Sequence, residues 1–549
     1  MKNINKYFAV IILILAGIAT SCEKHLDIPQ QGVQNIDDFY KTDDQALSAL
    51  ADVYVDWRNL LYGTHTPGIY LEYMSGDSYP GWANQGDNSG MANAHYSFIF
   101  DGDGVRSPTF YTNPAGMIRR VNTILARVEP DSPAKRRILA ECRVIRAWAY
   151  SFLAFFYSNV PLFDEEITST NAARPATPVA EIWAFVNRDF ETAINSGDLP
   201  SKSSIDDKDN VLRVTKEAAQ AFYGKMLLWQ ERWSEAATQL KAVINSGKYR
   251  LLTDAELLNH NGVPDFGYVI RATTSLGPES VLILNSKPDQ NGNSGPGAHG
   301  GGFAWRGDQL THNGGSFVYV PEYDMVGNAN GGLGGTKKTL YDEFIEIEGP
   351  DGFRLKGSIL TWEDFQSVGL GINGQYYCTE GYWDYKWRRL RSESGSWTWG
   401  TGRESPFNPQ RVMRYAEVLL TAAEACFRSG DAASALTYVN MIRERAHLAP
   451  LASVTLAHIK KEKRLELYKE GFRYIDLVRW EKLNDPDGIT AFNVLGEQGH
   501  YIPNFDGVTV NDRFLIQTQY GWKKGKHELM PIPVLELNAN PNLSQNPGW

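Results

Sequence analysis

Aromatic side chains set beside amides, carboxylates and arginines are the residues of this chain that favour ligand chemistry. The 549 residues include 15 Trp, 27 Tyr and 24 Phe, and aromatic residues make up 12% of the sequence. Between Tyr376 and Trp399, eight of 24 residues are aromatic. Such rings stack on the C–H faces of a pyranose, while polar neighbours bind its hydroxyl groups. The composition therefore indicates a site for an amphipathic ligand such as a sugar.

Tryptophans that stand between turn-forming residues are the main candidates for exposed rings, because they have few neighbours with which to build a core. One of these tryptophans, Trp82, follows three tyrosines, Tyr70, Tyr73 and Tyr79, and forms a second aromatic set with them. Strand-like aromatics such as Tyr385 and Trp387 are instead expected in the core. The candidate ligand-binding residues are the platforms Trp82, Trp305, Tyr319 and Trp383 and the hydroxyl partners Arg306, Asp308 and Asn84.

Catalytic motifs are absent from the sequence. His299-Gly300-Gly301-Gly302 resembles an oxyanion-hole loop, but no G-x-S-x-G pentapeptide accompanies it. The ten histidines lack the spacing of zinc ligands. Acids and bases between Lys460 and Trp480 alternate at helical spacing, which predicts structural ion pairs. We therefore expect no catalytic residues, no metal site and no cofactor. A surface polysaccharide-degrading enzyme with an unmarked carboxylate pair stays an alternative.

An Asp-Gly-Asp-Gly segment at 101–104 is the one candidate for a calcium loop. It lacks the later Asp or Asn and the terminal Glu of an EF-hand, so a plain turn is the preferred interpretation. A structural calcium ion is left open.

The N-terminus has the features of a secretion signal. Lys2 and Lys6 precede an apolar run of 12 residues, Tyr7 to Ile18, which is shorter than the roughly 20 residues of a membrane-spanning helix. Small residues then lead to Cys22. We expect residues 1–21 to be a lipoprotein signal peptide, Cys22 to be lipidated and 22–36 to be a tether. The formal net charge of −10 argues against a nucleic-acid partner.

Helical patterns dominate both ends of the chain, and a Gly-rich middle separates them. Helices are predicted over 37–61, 115–128, 140–157 and 178–195, and helix hairpins over 217–246 and 411–446. The hairpins have the small-residue layout of tetratricopeptide pairs, so we expect pairs from both ends to pack side by side. The predicted fold is mainly α, with a helical region at 37–250, a loop-rich ligand-binding lobe with short strands at 251–405 and a helical region at 406–549.

Several motifs, in the same order, resemble the SusD/RagB family of outer-membrane lipoproteins. A Leu-Asp-Ile-Pro segment follows Cys22, and the chain closes on a Gln-Asn-Pro-Gly-Trp ending. One departure is Lys463, where the family often has arginine. The motifs that carry the resemblance are His25–Pro29, Glu141–Phe163, Arg213–Leu252, Arg414–Leu420, Ala423–Ala425, Glu470–Trp480, His527–Pro533 and Gln545–Trp549.

The resemblance implies a scaffold of four tetratricopeptide-like helix pairs that supports an irregular lobe. It also implies a surface-exposed, lipid-anchored outer-membrane protein that captures oligosaccharide or polysaccharide and delivers it to a SusC-like TonB-dependent transporter. The middle lobe matches poorly, so the family's ligand residues cannot be assigned by motif. Peptide capture, as in RagB-like members, is the main alternative, and aromatic clusters favour glycan over it. Arg388 and its neighbouring arginines would suit an acidic sugar or pair with local acids.

Overall fold

The structure is a computed structural model, and helices predominate among the residues that it describes, which confirms the predicted fold class. No helix in these residues is long and apolar enough to cross a bilayer. The described residues are 39–62, 67–80, 89–103, 108–284, 318–320, 322, 324–327, 335–367, 376–377, 379–388, 390, 410–471, 473–499, 502–514 and 520–549.

The N-terminal region is a stack of helices around one long buried helix. The stack consists of α1 (Asp43–Tyr62), α2 (Pro67–Tyr73), α3 (Ser89–Ser97), α4 (Thr109–Arg127), α5 (Pro133–Tyr157), α6 (Val179–Asn195), α7 (Lys216–Trp229) and α8 (Trp233–Asn245). Helix α5 begins seven residues before the predicted start because the Ser132 side chain accepts a hydrogen bond from the Lys135 backbone N–H and Pro133 occupies the first turn. Its apolar second half is buried on all sides between α4 and α6.

Two helix hairpins join the ends of the chain. Helices α7 and α8 form the first, and the second consists of α13 (Tyr415–Arg428) and α14 (Ala432–Arg445). Helix α8 packs against α13, which confirms that pairs from both ends of the chain lie side by side. The approach of α7 to α8 requires a glycine, because a Cβ on Gly224 would lie 2.6 Å from Leu240 Cγ.

Two glycine substitutions should change stability in opposite directions. Gly224→Ala forces a methyl group into the α7–α8 contact and should lower the free energy of unfolding by about 1–3 kcal/mol. Gly116→Ala, in α4 with no atom within 4 Å of the added Cβ, should raise it by about 0.5–1 kcal/mol through helix propensity. Urea unfolding of the two variants checks this, and equal effects at both positions would contradict the packing argument.

The middle lobe contains short helices and short antiparallel strands. Its helices are α9 (Ala272–Ser275), α10 (Lys338–Glu348), α11 (Phe353–Ser358) and α12 (Trp362–Ser367), and its strands are β1 (Ser280–Leu284), β2 (Val318–Val320), β3 (Met325–Gly327), β4 (Ile359–Thr361), β5 (Tyr376–Tyr377) and β6 (Tyr382–Asp384). Strands β2 and β3 pair with each other, and β4 pairs with β6. The β-like runs predicted near 280–284 and 317–320 are therefore confirmed as β1 and β2.

At one predicted helix start the chain forms a strand instead. Residues Gln410–Arg414 form strand β7, which pairs antiparallel with β1, and the helix begins only at Tyr415. The backbone groups of Arg411 to Arg414 thus bond across the lobe instead of within a helix, a choice that local periodicity does not reveal.

The C-terminal region packs against both other regions. It continues with α15 (Leu456–Glu466), α16 (Arg473–Lys482), α17 (Ala491–Leu495), β8 (Ile502–Phe505), β9 (Val510–Phe514) and α18 (Val534–Ala539). Strand β8 lies between β5 and β9 in a three-stranded sheet, so the C-terminal region completes a sheet of the middle lobe. One hydrophobic core contains side chains from all three regions, including Trp57, Trp387 and Trp480.

Candidate functional site

Most of the predicted site residues lie outside the described part of the chain. This holds for Cys22, Trp82, Asn84, Trp305, Arg306 and Asp308. The backbone of Tyr319 lies in β2, opposite Val326 of β3. The assignments of these seven residues therefore stay predictions.

Trp383 corrects the sequence analysis. Its side chain is only 2% exposed, in the β4–β6 strand pair, with ring centroids of Trp362 and Phe505 at 6.4 and 6.5 Å. A ring enclosed in this way offers no face for stacking, so Trp383 is a packing residue in the free protein. Tyr70, Tyr73 and Tyr79 are buried as well, at 1%, 8% and 2%.

Two other aromatics behave as predicted. Tyr385 and Trp387 are buried, which confirms that the strand-like aromatics of this run belong to the core.

Three half-buried aromatic residues of the middle lobe form the surface that we call the lobe patch: Tyr341, Trp362 and Tyr382. The ring centroids of Tyr341 and Tyr382 are 4.5 Å apart with planes inclined at 32°. Trp362 follows Thr361, which is paired with Tyr382 across the β4–β6 ladder. Helix α10 and strand β6 thus bring the Tyr341 and Tyr382 rings into contact, while Trp362 stands next to the strand partner of Tyr382 and packs beside Phe505 at 5.6 Å.

Local hydrogen bonds set the position of Trp362. The Thr361 backbone N–H donates to Asp364 Oδ2 at 2.8 Å, and the Asp364 N–H donates back to Thr361 Oγ1 at 3.2 Å. This reciprocal pair caps the first turn of α12, where Trp362 is the first residue. Gly507 lies between β8 and β9 at φ +93°, and the absence of a side chain there lets this loop approach the Trp362 ring. A Cβ on Gly507 would lie 3.1 Å from Trp362 Cζ2.

A tight turn sets the position of Tyr382. The Gly381 N–H donates to Thr379 Oγ1 at 3.0 Å, and the Thr379 hydroxyl donates to the Tyr382 carbonyl oxygen at 3.0 Å. Gly381 has φ +94°, a conformation that a glycine adopts without steric cost. The turn therefore holds Tyr382 at the first position of β6.

A small hydrophobic cluster forms the floor beneath the two tyrosines. Tyr341 and Tyr382 pack against it, and two of its members come from the C-terminal region. The cluster consists of Leu340, Phe344, Leu355, Ile359, Leu465 and Tyr468. The rings thus have rigid support on one side and solvent access on the other, as a stacking platform requires.

Carboxylates surround the lobe patch. Burial raises the pKa of Tyr382 to about 12, and Tyr341, Asp342 and Glu363 add to the rise. Burial also raises the pKa of Tyr341, with contributions from Asp364 and Glu363. Both phenols are therefore neutral at pH 7, and their hydroxyl groups can donate hydrogen bonds. An acidic rim beside neutral rings suits the hydroxyl groups of an uncharged ligand and repels an anionic one.

Arg388 is not available to an acidic sugar. Its side chain is 1% exposed, and Nη2 lies 2.6 Å from Asp265 Oδ2. Although burial opposes the charged form, Asp265 raises the pKa of Arg388 above its ordinary value. The second interpretation offered by the sequence, pairing with a local acid, is the one that the structure supports.

A buried ionic network, which we call the lobe anchor, holds the middle lobe on the C-terminal region. Arg414 Nη1 lies 2.6 Å from both Glu279 and Glu466, and its Nε lies 2.7 Å from Glu470. Arg354 of α11 lies 2.5 Å from Glu348 and 2.8 Å from Glu462 of α15. The Lys460–Trp480 segment thus forms structural ion pairs, as predicted.

The same segment contains the departure from the family motif. Lys463 Nζ lies 2.7 Å from Asp476 Oδ2, with both side chains buried. A lysine therefore supplies a buried cation at the position where the family often has arginine.

Metal-ligand and thiol chemistry have no support in the described residues. They contain no group of three His, Cys, Asp or Glu side chains that could hold a metal ion. The backbone N–H of Asp103 donates to Asp101 Oδ1 at 3.1 Å, a contact typical of a turn, and the choice between a plain turn and a calcium loop stays a prediction. Cys142 and Cys426 are buried free thiols, and burial raises the pKa of both.

Sequence reasoning missed Tyr341 and Trp362. Trp362 has a local signal, since Thr361 and Asp364 form an N-capping pair that places it at a helix start. Tyr341 has none, because its relation to Tyr382 arises only when α10 packs against the β4–β6 pair.

Comparisons with known proteins agree with this architecture. Residues 366–549 match the model described as the SusD family, and residues 65–228 match the model described as starch-binding associating with outer membrane. SusD-like protein P38 of Formosa agariphila is 24% identical over 98% of this chain and 99% of its own length.

Two solved structures have the same fold. A laminarin binding SusD-like protein has a TM-score of 0.72 at 24% identity and covers 93% of this chain and 100% of its own. Surface glycan-binding protein A from Bacteroides thetaiotaomicron, in complex with laminarihexaose, has a TM-score of 0.71 at 20% identity and covers 92% and 99%. Family models matched in both halves of the chain, together with a relative matched end to end, support membership of the SusD/RagB family.

Proposed function

We propose that this protein captures an oligosaccharide or polysaccharide at the outer surface of the outer membrane. The observation that carries the proposal is the lobe patch, in which two half-buried tyrosines pack on a hydrophobic floor, with the half-buried Trp362 at the neighbouring helix start and carboxylates close by. Two relatives with the same fold are named for binding laminarin and laminarihexaose, and one matched model is described as starch-binding. These names support a glycan as the ligand.

The local charge favours a neutral glycan. Glu363 and Asp364 act electrostatically on Tyr341, while the nearby Lys338 is already paired with Asp342 at 2.6 Å. Carboxylates accept hydrogen bonds from sugar hydroxyl groups, and they disfavour a uronic acid or a sulfated sugar. We therefore choose laminarin and starch as first probes.

The protein would work at the membrane through two further elements. A lipid on Cys22 would hold it at the surface, and a SusC-like TonB-dependent transporter would receive the captured glycan. Both follow from the family and from the signal sequence, and outer-membrane association is part of the description of a matched family model. The proposal assigns binding and delivery to this chain and no chemical step.

Affinity electrophoresis and calorimetry on the protein starting at Glu23 test the proposal. Each of Tyr341→Ala, Trp362→Ala and Tyr382→Ala should weaken glycan binding roughly tenfold, since a lost stacking contact costs about 1–1.5 kcal/mol. The matched control is Trp233→Ala, which removes a half-buried ring of α8. Its affinity should equal that of the parent protein.

Two results would redirect the interpretation. Binding to casein peptides without binding to any glycan would favour the RagB-like alternative. Unchanged glycan affinity in all three folded patch variants would remove the lobe patch from the site. Thermal unfolding of each variant separates lost binding from lost structure.

A further inference from the structure

A groove of about 300 Å³ lies on the N-terminal region, on the exposed side of α1. Residues of α1 form one wall, and Leu212, Arg213 and Leu284 contribute the other. Two leucines at its edge are unusually exposed, Leu47 at 42% and Leu212 at 37%. None of these residues belongs to the lobe patch or to the lobe anchor. We call this feature the α1 groove.

Arg58 lines the α1 groove and lacks an acidic partner. Its side chain is buried, with the residue only 4% exposed. Its hydrogen bond is a long one, 3.4 Å from Nη2 to Oδ1 of the adjacent Asn59, and the buried Nε has no acceptor. Within the described part of the chain, no carboxylate lies at ion-pair distance from Arg58.

This arrangement is unlike that of two other buried arginines, Arg354 and Arg414. Arg354 and Arg414 are fully buried, and each has carboxylates within 2.8 Å. A buried guanidinium without an anion is costly, because an arginine cannot lose its charge at neutral pH. Burial lowers the pKa of Arg58, with no carboxylate to oppose the effect. The positive charge of Arg58 is therefore not neutralised by any carboxylate of the described residues.

The other cation that lines the α1 groove, Arg213, already has an acidic partner. Arg213 Nη2 lies 2.7 Å from Glu141 Oε1, and the Tyr54 hydroxyl donates to Glu141 Oε2 at 2.7 Å. Glu141 is thus committed to its own partners. Arg58 is left as the group in the groove that calls for an anion.

The walls determine what kind of anion fits. Leu47, Leu50 and Val55 of α1 face Leu212 and Leu284 across the groove. The lining includes a single aromatic ring, that of Tyr54, whose hydroxyl is engaged. The groove thus lacks the flat platforms and the hydroxyl partners of a sugar site. Its volume is about that of ten molecules in liquid water, which is enough for a medium-length hydrocarbon chain.

We propose that the α1 groove binds an aliphatic carboxylate, whose head group pairs with Arg58 and whose chain lies along the leucines. A guanidinium holds a carboxylate through two parallel hydrogen bonds, which would satisfy Nε and a terminal nitrogen together. Each methylene of the chain that is buried against the leucines strengthens binding. This site is separate from the proposed glycan function and does not depend on it.

Calorimetry with octanoate as the probe tests the proposal. Octanoate should bind, while acetate, which lacks the chain, and octanol, which lacks the charge, should each bind at least tenfold more weakly. Arg58→Met keeps the length of the side chain and removes the charge, so it should weaken octanoate binding at least tenfold. Leu212→Asp should do the same by placing a carboxylate in the apolar wall.

A second readout separates binding from structural damage. Because Arg58 is a buried charge without an anion, Arg58→Met should fold with an unchanged or higher Tm. Its glycan affinity should equal that of the parent protein, so failure here does not bear on the glycan proposal. Equal octanoate binding by parent and Arg58→Met, equal binding of octanol and octanoate, or no octanoate binding at millimolar concentration would each overturn the proposal.

Discussion

Replacing Arg414 by alanine is expected to lower the free energy of unfolding by about 3–5 kcal/mol. Arg414 is fully buried and lies within 2.7 Å of Glu279, Glu466 and Glu470. It connects strand β7 to α15 and to the turn after it, and so holds the middle lobe on the C-terminal region. Its removal would leave several carboxylates with too few cations in the protein interior.

The pH dependence of this effect has a defined sign. Burial alone would raise the pKa of Glu470, but Arg414 and Lys386 bring it below its ordinary value. In Arg414→Ala that pKa rises, so protonation of Glu470 costs less in the variant than in the parent protein. The difference in stability between the two should therefore shrink as the pH falls from 7 towards 4.

Urea unfolding at several pH values measures both quantities. The matched control is Lys338→Ala, which removes one partner of an exposed pair whose side chains are 53% and 54% accessible. Exposed pairs contribute at most about 1 kcal/mol, so this variant should unfold almost like the parent protein. A loss below about 1 kcal/mol in Arg414→Ala would contradict the anchoring role.

His527 should make the protein sensitive to mild acid. Its ring is 2% exposed and packs between Phe98 and Trp549, with centroids at 5.4 and 5.3 Å. Burial, together with Lys526 and Lys523, lowers its pKa to about 3. The Lys523 backbone N–H donates to Nδ1 at 2.7 Å, which requires that nitrogen to be unprotonated.

The sign of the effect follows from the two states. The unfolded chain takes up a proton near pH 6.5, whereas the folded protein excludes it until about pH 3. Stability should thus fall as the pH decreases below 6.5, by up to about 1.4 kcal/mol per pH unit. Comparison with a variant that lacks the histidine isolates its contribution between pH 6.5 and 5.

His527→Asn tests the assignment, because Oδ1 of asparagine can accept the hydrogen bond from Lys523 without titrating. The slope of unfolding free energy against pH should be smaller in His527→Asn than in the parent protein by about 1.4 kcal/mol per unit. His447→Asn is the control, since His447 is 47% accessible and pairs with Asp254 at the surface. Equal slopes in parent and His527→Asn would show that another group causes the acid sensitivity.

Local sequence patterns predicted many of the helices, since their signals lie within a few residues. Apolar periodicity and turn residues located the two hairpins, and their ends differ from the predicted ends by a few residues. The Thr42 hydroxyl, just before α1, accepts the Gln45 backbone N–H at 3.2 Å, a capping contact between residues three apart in the chain. The alternation of charges predicted the ion pairs of α15 and α16, although not that they are buried.

The candidate site was harder to predict, because exposure of an aromatic ring depends on distant segments. Trp383 was predicted to be an exposed platform, yet packing beside Phe505 of β8 and Trp362 of α12 encloses it. Tyr341 meets Tyr382 only through the docking of α10 on the β4–β6 pair. Strand β7 forms because β1 offers it a partner, although its residues continue a helical pattern.

The sequence by itself determined the helical class, the charged character of the Lys460–Trp480 segment and the motifs that mark the family, because each is written in neighbouring residues. Only the tertiary structure decided which rings face solvent, which arginines pair with acids, and that Arg58 has no carboxylate at ion-pair distance among the described residues. Those properties depend on contacts between residues far apart in the chain, and burial then sets whether a side chain supports the fold or is free to meet a ligand.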